Sequence, residues 1–127
     1  MNARTVGIVV ALAFFPLVQA AEKKEEEWYG PKPLKGDYHV YGGTLSEKLP
    51  PTQKDRKVAF MFKGQFAKDL FNQIGPDVKK KDACSSAADY RERRRGDVDC
   101  VYTKDSGYSC YFGLDVPTGK STYGSIC

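Results

Sequence analysis

The chain has 127 residues, 28% of them charged and 41% hydrophobic, with a formal net charge of +4, which is single-domain size and ordinary globular composition. The excess of base is mild and does not form the dense stripe of a nucleic-acid binder, so no nucleic acid is expected. After the first twenty residues no apolar run approaches the roughly 20 residues that a membrane helix needs, so no membrane span is expected.

Met1–Ala20 has the layout of a secretory signal peptide. Arg4 supplies the positive charge, Val6–Val18 the apolar stretch, and Val18 and Ala20 the small residues of a cleavage site. The charged run Glu22–Glu27 follows at once. Arg4 is the only charged residue of the leader, so the mature chain keeps +3 of the +4. Export predicts a periplasmic or secreted monomer in which Cys84, Cys100, Cys110 and Cys127 are oxidised.

Residues 21–37 lack apolar periodicity and read as an extended or disordered lead-in, with Trp28 and Tyr29 as a free aromatic pair or an anchor. The single globular domain is expected over 38–127. It opens with a short strand at Tyr38–Tyr41, ended by Gly42 and Gly43, and Pro50 and Pro51 mark a loop. In Lys57–Lys63, Val58, Phe60 and Phe62 alternate with Ala59 and Met61, which predicts an interior strand. Gln65–Ile74 carries Phe66, Leu70 and Ile74 at four-residue steps, so an amphipathic helix centred on Leu70 is predicted. Gly75 is placed for a left-handed cap, and Pro76 blocks continuation. Residues 76–96 read as a long loop fastened by Cys84, with one helical turn available from Ser86 and Asp89.

Val98–Lys104, Tyr108–Val116 and Lys120–Cys127 are three predicted strands of a meander, joined by Asp105-Ser106-Gly107 and Pro117-Thr118-Gly119. Three-residue turns would set Lys104 against Tyr108 and Val116 against Lys120. Cys100, Cys110, Leu114, Val116 and Ile126 then share the core face. Asp99, Val101, Tyr111, Tyr123 and Ser125 share the other, with Tyr123 opposite Gly113. The expected fold class is α+β: a mostly antiparallel sheet ending in a three-stranded meander, one helix packed on it, and disulfide staples.

Disulfides are favoured over zinc because the cysteines form no C-x-x-C pair. Of three connectivities, Cys84–Cys100 with Cys110–Cys127 closes the shortest loops and is taken first; the other two stay open. No cofactor, metal or catalytic set is expected. His39 is the only histidine and no G-x-S-x-G elbow accompanies it. The carboxylates Glu47, Asp55, Asp69, Asp97, Asp99 and Asp115 sit beside charges, turns or exposed faces, short of the apolar pocket an acid catalyst needs. Gly119-Lys120-Ser121 leads into a strand, without the helix N-terminus a phosphate loop uses. Arg95-Gly96-Asp97 is an adhesion-type tripeptide too short to carry weight.

Two surfaces remain as partner-binding candidates. Arg91, Arg93, Arg94 and Arg95, with Lys79–Lys81, form a basic loop that is either solvated or suited to an anionic envelope polymer. Tyr111 and Tyr123 form an aromatic pair on the polar sheet face, suited to a protein partner. The small, exported, stapled build is similar to periplasmic inhibitor and immunity proteins that block cell-wall hydrolases. That resemblance implies a non-enzymatic binding protein acting on a protein partner. A module holding an anionic polymer is the alternative, followed by a small secreted hydrolase.

Overall fold

The computed structural model describes residues 7–16 and 30–127. The chain divides into two units, Met1–Pro31 and Lys32–Cys127. In the first, residues 7–16 form neither helix nor strand; the expected cleavage site at Ala20 and the Trp28–Tyr29 pair lie outside the described residues. No helix among the described residues is long and apolar enough to cross a membrane.

The second unit is an α+β fold. Its strands are β1 (Lys35–Tyr41), β2 (Lys57–Lys63), β3 (Arg91–Arg95), β4 (Val98–Thr103), β5 (Gly107–Asp115) and β6 (Lys120–Thr122), with helix α1 (Gly64–Gln73) after β2. All pairings are antiparallel, in the order β1-β2-β5-β4-β3, with β6 also on β5. The predicted interior strand is β2, in the middle of the sheet because it is apolar on both faces.

Helix α1 packs over β5, β2 and β4. Ala67, Phe71, Ile74, Cys100 and Cys110 form the buried cluster, flanked by Phe62, Leu70, Val98, Tyr102 and Tyr108. The centre of the helical stripe is therefore Phe71, fully buried, and not the half-buried Leu70. Gly75 does not supply a left-handed cap either: the cap residue is Ile74, in extended backbone. The Arg93 guanidinium does that work, its Nη1 donating to the carbonyls of Phe71 at 2.9 Å and Ile74 at 3.2 Å. Those carbonyls are among the helix-end acceptors that need an outside donor.

The expected loop over 76–96 is partly regular. Lys80–Asp82 is a 3₁₀ turn, and Arg91–Arg95 is a strand within the expected loop, so the optional helical turn from Ser86 and Asp89 does not extend into it. Alternation sorts the strand. Register sets Arg91, Arg93 and Arg95 on the helix side, opposite Tyr102, Cys100 and Val98, and sets Glu92 and Arg94 on the other face.

Two register differences decide the staples and the tail. Lys104 leaves the β4 strand because its N–H donates to Asp89 at 3.0 Å, so Thr103 pairs with Gly107. That is a shift of two residues, which keeps every side chain on its expected face. Cys100 then stands directly opposite Cys110, 4.0 Å apart at Cα, and the two are bonded. The other disulfide joins Cys84 to Cys127. The expected Cys84–Cys100 and Cys110–Cys127 pairing is thus overturned, although two disulfides and no free cysteine remain. Two disulfides in a domain this small are compatible with an oxidising compartment.

At the second turn Asp115, not Val116, pairs with Lys120, a shift of one residue that reverses the faces of β6. Thr122 rather than Tyr123 lies opposite Gly113. No ring covers this glycine; the tail's own backbone does. A Cβ on Gly113 would stand 2.5 Å from the Tyr123 carbonyl oxygen, and one on Gly124 would stand 2.4 Å from the Phe112 nitrogen. Both positions need glycine because two backbones touch there. β6 accordingly ends at Thr122 and residues 123–127 cross the sheet without pairing.

Candidate functional site

The sheet face away from α1 carries the odd-numbered residues of β1, β2, β4 and β5. The tail 123–127 and the turn after Gly43 lie over it. Asp55 anchors the turn: its Oδ2 accepts from the Gly43 N–H at 2.8 Å, while Lys57 Nζ donates to the Gly43 carbonyl at 2.9 Å. Cys127 anchors the tail to Cys84.

Between these lips are two openings. One, of about 640 Å³, is lined by Tyr41, Lys57, Val98 and Tyr123 among others. The second, of about 420 Å³, is lined by His39, Tyr90, Val101 and Tyr111. Leu45, Asp99, Ser125 and Ile126 line both. Tyr111 and Tyr123, expected to be diagonal neighbours on one open face, line different openings. Tyr111 is half-buried, whereas Tyr123 is 66% exposed and Ile126, expected in the core, is 58% exposed.

Beneath the tail is a buried charge cluster. Glu92 is enclosed; it accepts from the Cys84 N–H at 2.9 Å and from Arg94 Nε at 2.7 Å. Asp99 is nearly as buried, with Ser125 Oγ donating to its Oδ2 at 3.2 Å. Burial, then the negative charge of Glu92 and the hydrogen bond to it, push the Asp99 carboxyl up to about 6, against the pull of Arg94 and Ser125. Asp99 Oδ1 is buried and lacks a donor. Protonation of Asp99, which burial and the neighbouring Glu92 favour, leaves one net negative charge for Arg94 to balance. The same burial and the same two carboxyls push Tyr90 up to about 12. Oxygens of Glu92 and Asp99 and the Cys84 sulfur lie within 4.8 Å of one another. The sulfur is committed to its disulfide, so the trio lacks the thiolate a metal would want.

The arginines are largely spent inside the domain. Arg91 holds Asp77 through Nε at 2.8 Å and Nη2 at 3.1 Å, and Arg93 Nε holds the same carboxylate at 2.6 Å. Those bonds, Arg91's first, bring Asp77 down to about 2. Arg93 also stacks on Phe71, 4.4 Å from the ring centroid. Arg94 is paired with Glu92, and its Nη2 lies 3.3 Å from the Cys84 sulfur and 3.7 Å from that of Cys127. Arg95 alone of the four has no carboxylate partner among the described residues. In the lysine run, Lys80 Nζ donates to the carbonyls of Ala87 at 3.0 Å and Tyr90 at 2.7 Å, tying the loop to itself.

Opposite shifts at Asp99 and Asp77 predict a two-sided pH profile. Asp99 binds its proton more tightly folded than unfolded, so its stabilisation is complete below about 3.8 and is lost as pH rises through about 6. Asp77 is the reverse: its stabilisation is complete above about 3.8 and is lost as pH falls toward about 2. The melting temperature should therefore rise from pH 7.5 to 5 and fall below pH 4. Asp99→Asn should flatten the neutral limb alone, which thermal melts at pH 3, 5 and 7.5 would test.

No protein-family model matches the chain, and neither a search of curated proteins nor one of solved structures finds a match.

Proposed function

We propose that the chain is a small exported, non-enzymatic binding protein, periplasmic or secreted, that holds a protein partner at the cleft beside its tail. Inhibition of a cell-wall hydrolase is one concrete form. The observation that carries this reading is the exposure of Tyr123 and Ile126 beside a cleft of about 640 Å³. Exposed aromatic and aliphatic anchors next to a concavity are what a partner's side chains grip. The anionic-polymer reading has less support, because Arg91, Arg93 and Arg94 already neutralise Asp77 and Glu92. A hydrolase reading could draw on Asp99, but an acid–base pair has to touch its substrate and the Glu92 side chain has no exposed surface.

The test is affinity capture from an envelope extract with the mature protein as bait, followed by titration of the captured partner. Tyr123→Ala should weaken binding by about 2 kcal/mol, near 30-fold, the scale of an interface hot spot. Arg95→Ser should leave it unchanged, with little dependence on salt. Loss of binding in Arg95→Ser with Tyr123→Ala unaffected would reverse the assignment.

A further inference from the structure

The sheet has edge strands at β1, β3 and β6, and two of the three are guarded. β3 is charged at all five positions, and its Glu92 carbonyl already accepts from the Val78 N–H at 2.7 Å. β6 is only three residues long. Charge, cover and shortness are the usual means of keeping an edge from pairing with another chain. β1 has little of this. It ends the strand order, is seven residues long without a proline, and is exposed at every residue but Tyr41. Among the described residues only β2 pairs with it. The backbone groups it turns away from β2 therefore have no protein partner. Gly42 exchanges hydrogen bonds with Leu49 at 2.7 and 3.0 Å, so the open stretch stops at Tyr41.

That stretch is complementary to itself when run antiparallel. A second copy that continues the sheet, with both helices on one side, pairs residues of equal parity, because side chains alternate between faces. A two-fold axis at Tyr38, the middle of the strand, is the one choice that uses all seven residues. It sets Asp37 of each copy opposite His39 of the other, so acid meets imidazole twice. An axis at Asp37 or at His39 would instead set that residue against its own copy, and like charges directly opposite are destabilising. On the other face Tyr38, 71% exposed, meets its copy in an aromatic cross-strand pair, and Val40, 38% exposed, lies beside the bare backbone of Gly36. Lys35 falls at the end, opposite Tyr41.

We propose that β1 is a dimer interface, at which a second copy of this chain pairs antiparallel about a two-fold axis at Tyr38 and joins the two sheets into one. The contact is isologous and closes on itself. It consumes both β1 edges, and the guarded β3 strands end the joined sheet. It rests on the edge strand and stands whether or not the cleft holds a partner. The monomer expected from the sequence is the competing state.

Sedimentation equilibrium of the full mature chain, from micromolar to about 1 mM, reads the association directly. A monomer–dimer equilibrium should fit, and the β1 amides should exchange with deuterium more slowly at the high concentration than at the low. His39→Asp places an acid opposite Asp37 twice and should weaken dimerisation by about tenfold or more. Asp37→Lys combined with His39→Asp reverses both pairs and should restore it. Both positions are exposed, so the fold survives these changes, which circular dichroism would verify. A chain that stays monomeric to about 1 mM, a dimer indifferent to His39→Asp, or a reversed pair that fails to restore association would overturn the proposal. So would protection of the β1 amides that arises only when a partner captured from envelope extract is added, since the edge would then belong to that partner.

Discussion

Phe71→Ala should cost about 3–5 kcal/mol of stability, the range for an aromatic ring removed from a packed core. Phe71 is fully buried, meets the edge of the Tyr108 ring at 5.2 Å between centroids, and carries Arg93 over its face. Removing it leaves a cavity between helix and sheet and takes the platform from beneath that guanidinium. Chemical denaturation read by circular dichroism would measure the loss. A cost below about 1 kcal/mol would mean that α1 is not seated as described.

Arg93→Ser is the second large effect, and a single surface charge would not produce it. Three roles are lost together: the donor to the Phe71 and Ile74 carbonyls, one of the two clamps on Asp77, and the stack on Phe71. A hydrogen bond to a charged group contributes about 1.5–3 kcal/mol, and a buried carbonyl left bare costs about 1–3. A loss of about 2–4 kcal/mol is expected on that scale. Arg95→Ser, in the same strand and with no carboxylate partner among the described residues, should cost under about 0.5 kcal/mol. Denaturation of the two variants side by side is the comparison to make. Equal, small losses would return all four arginines to the status of solvated charges.

Those arginines also mark where local sequence patterns stop informing. β2, α1 and the β4–β5 hairpin were legible because apolar residues recur with the right period, and even a register error of two residues left Cys100 and Cys110 on the core side. β3 offers no such signal. Its five residues are all charged, and it is a strand because Arg91 and Arg93 reach Asp77, while Glu92 is closed in by Cys84 and Arg94. Such partners lie up to 16 positions away, beyond any periodic window.

The candidate site was legible only in part. Tyr111 and Tyr123 stand out as aromatics in a polar alternation, yet a turn longer by one residue placed them in separate openings. Asp99 read as a carboxylate on an exposed strand face. Nothing local indicates that the tail would cover it or that Glu92 would favour its protonation. Leu45 and Ile126, which line both openings, carry only the weak signal of lone apolar residues among polar ones.

The two disulfides are nested: the Cys100–Cys110 link lies inside the span closed by Cys84 and Cys127, whose sequence separation is 43. Covalently the domain is a closed ring carrying β3 to β6, with a linear arm bearing β1, β2 and α1. In the loop-entropy picture the larger closure contributes about 4 kcal/mol and the smaller about 3, and neither acts on the arm. The arm can detach without breaking a bond, whereas the ring cannot fully extend. A protease that cuts one exposed turn of the ring, at Asp105 or Thr118, would leave both fragments attached until a reductant is added.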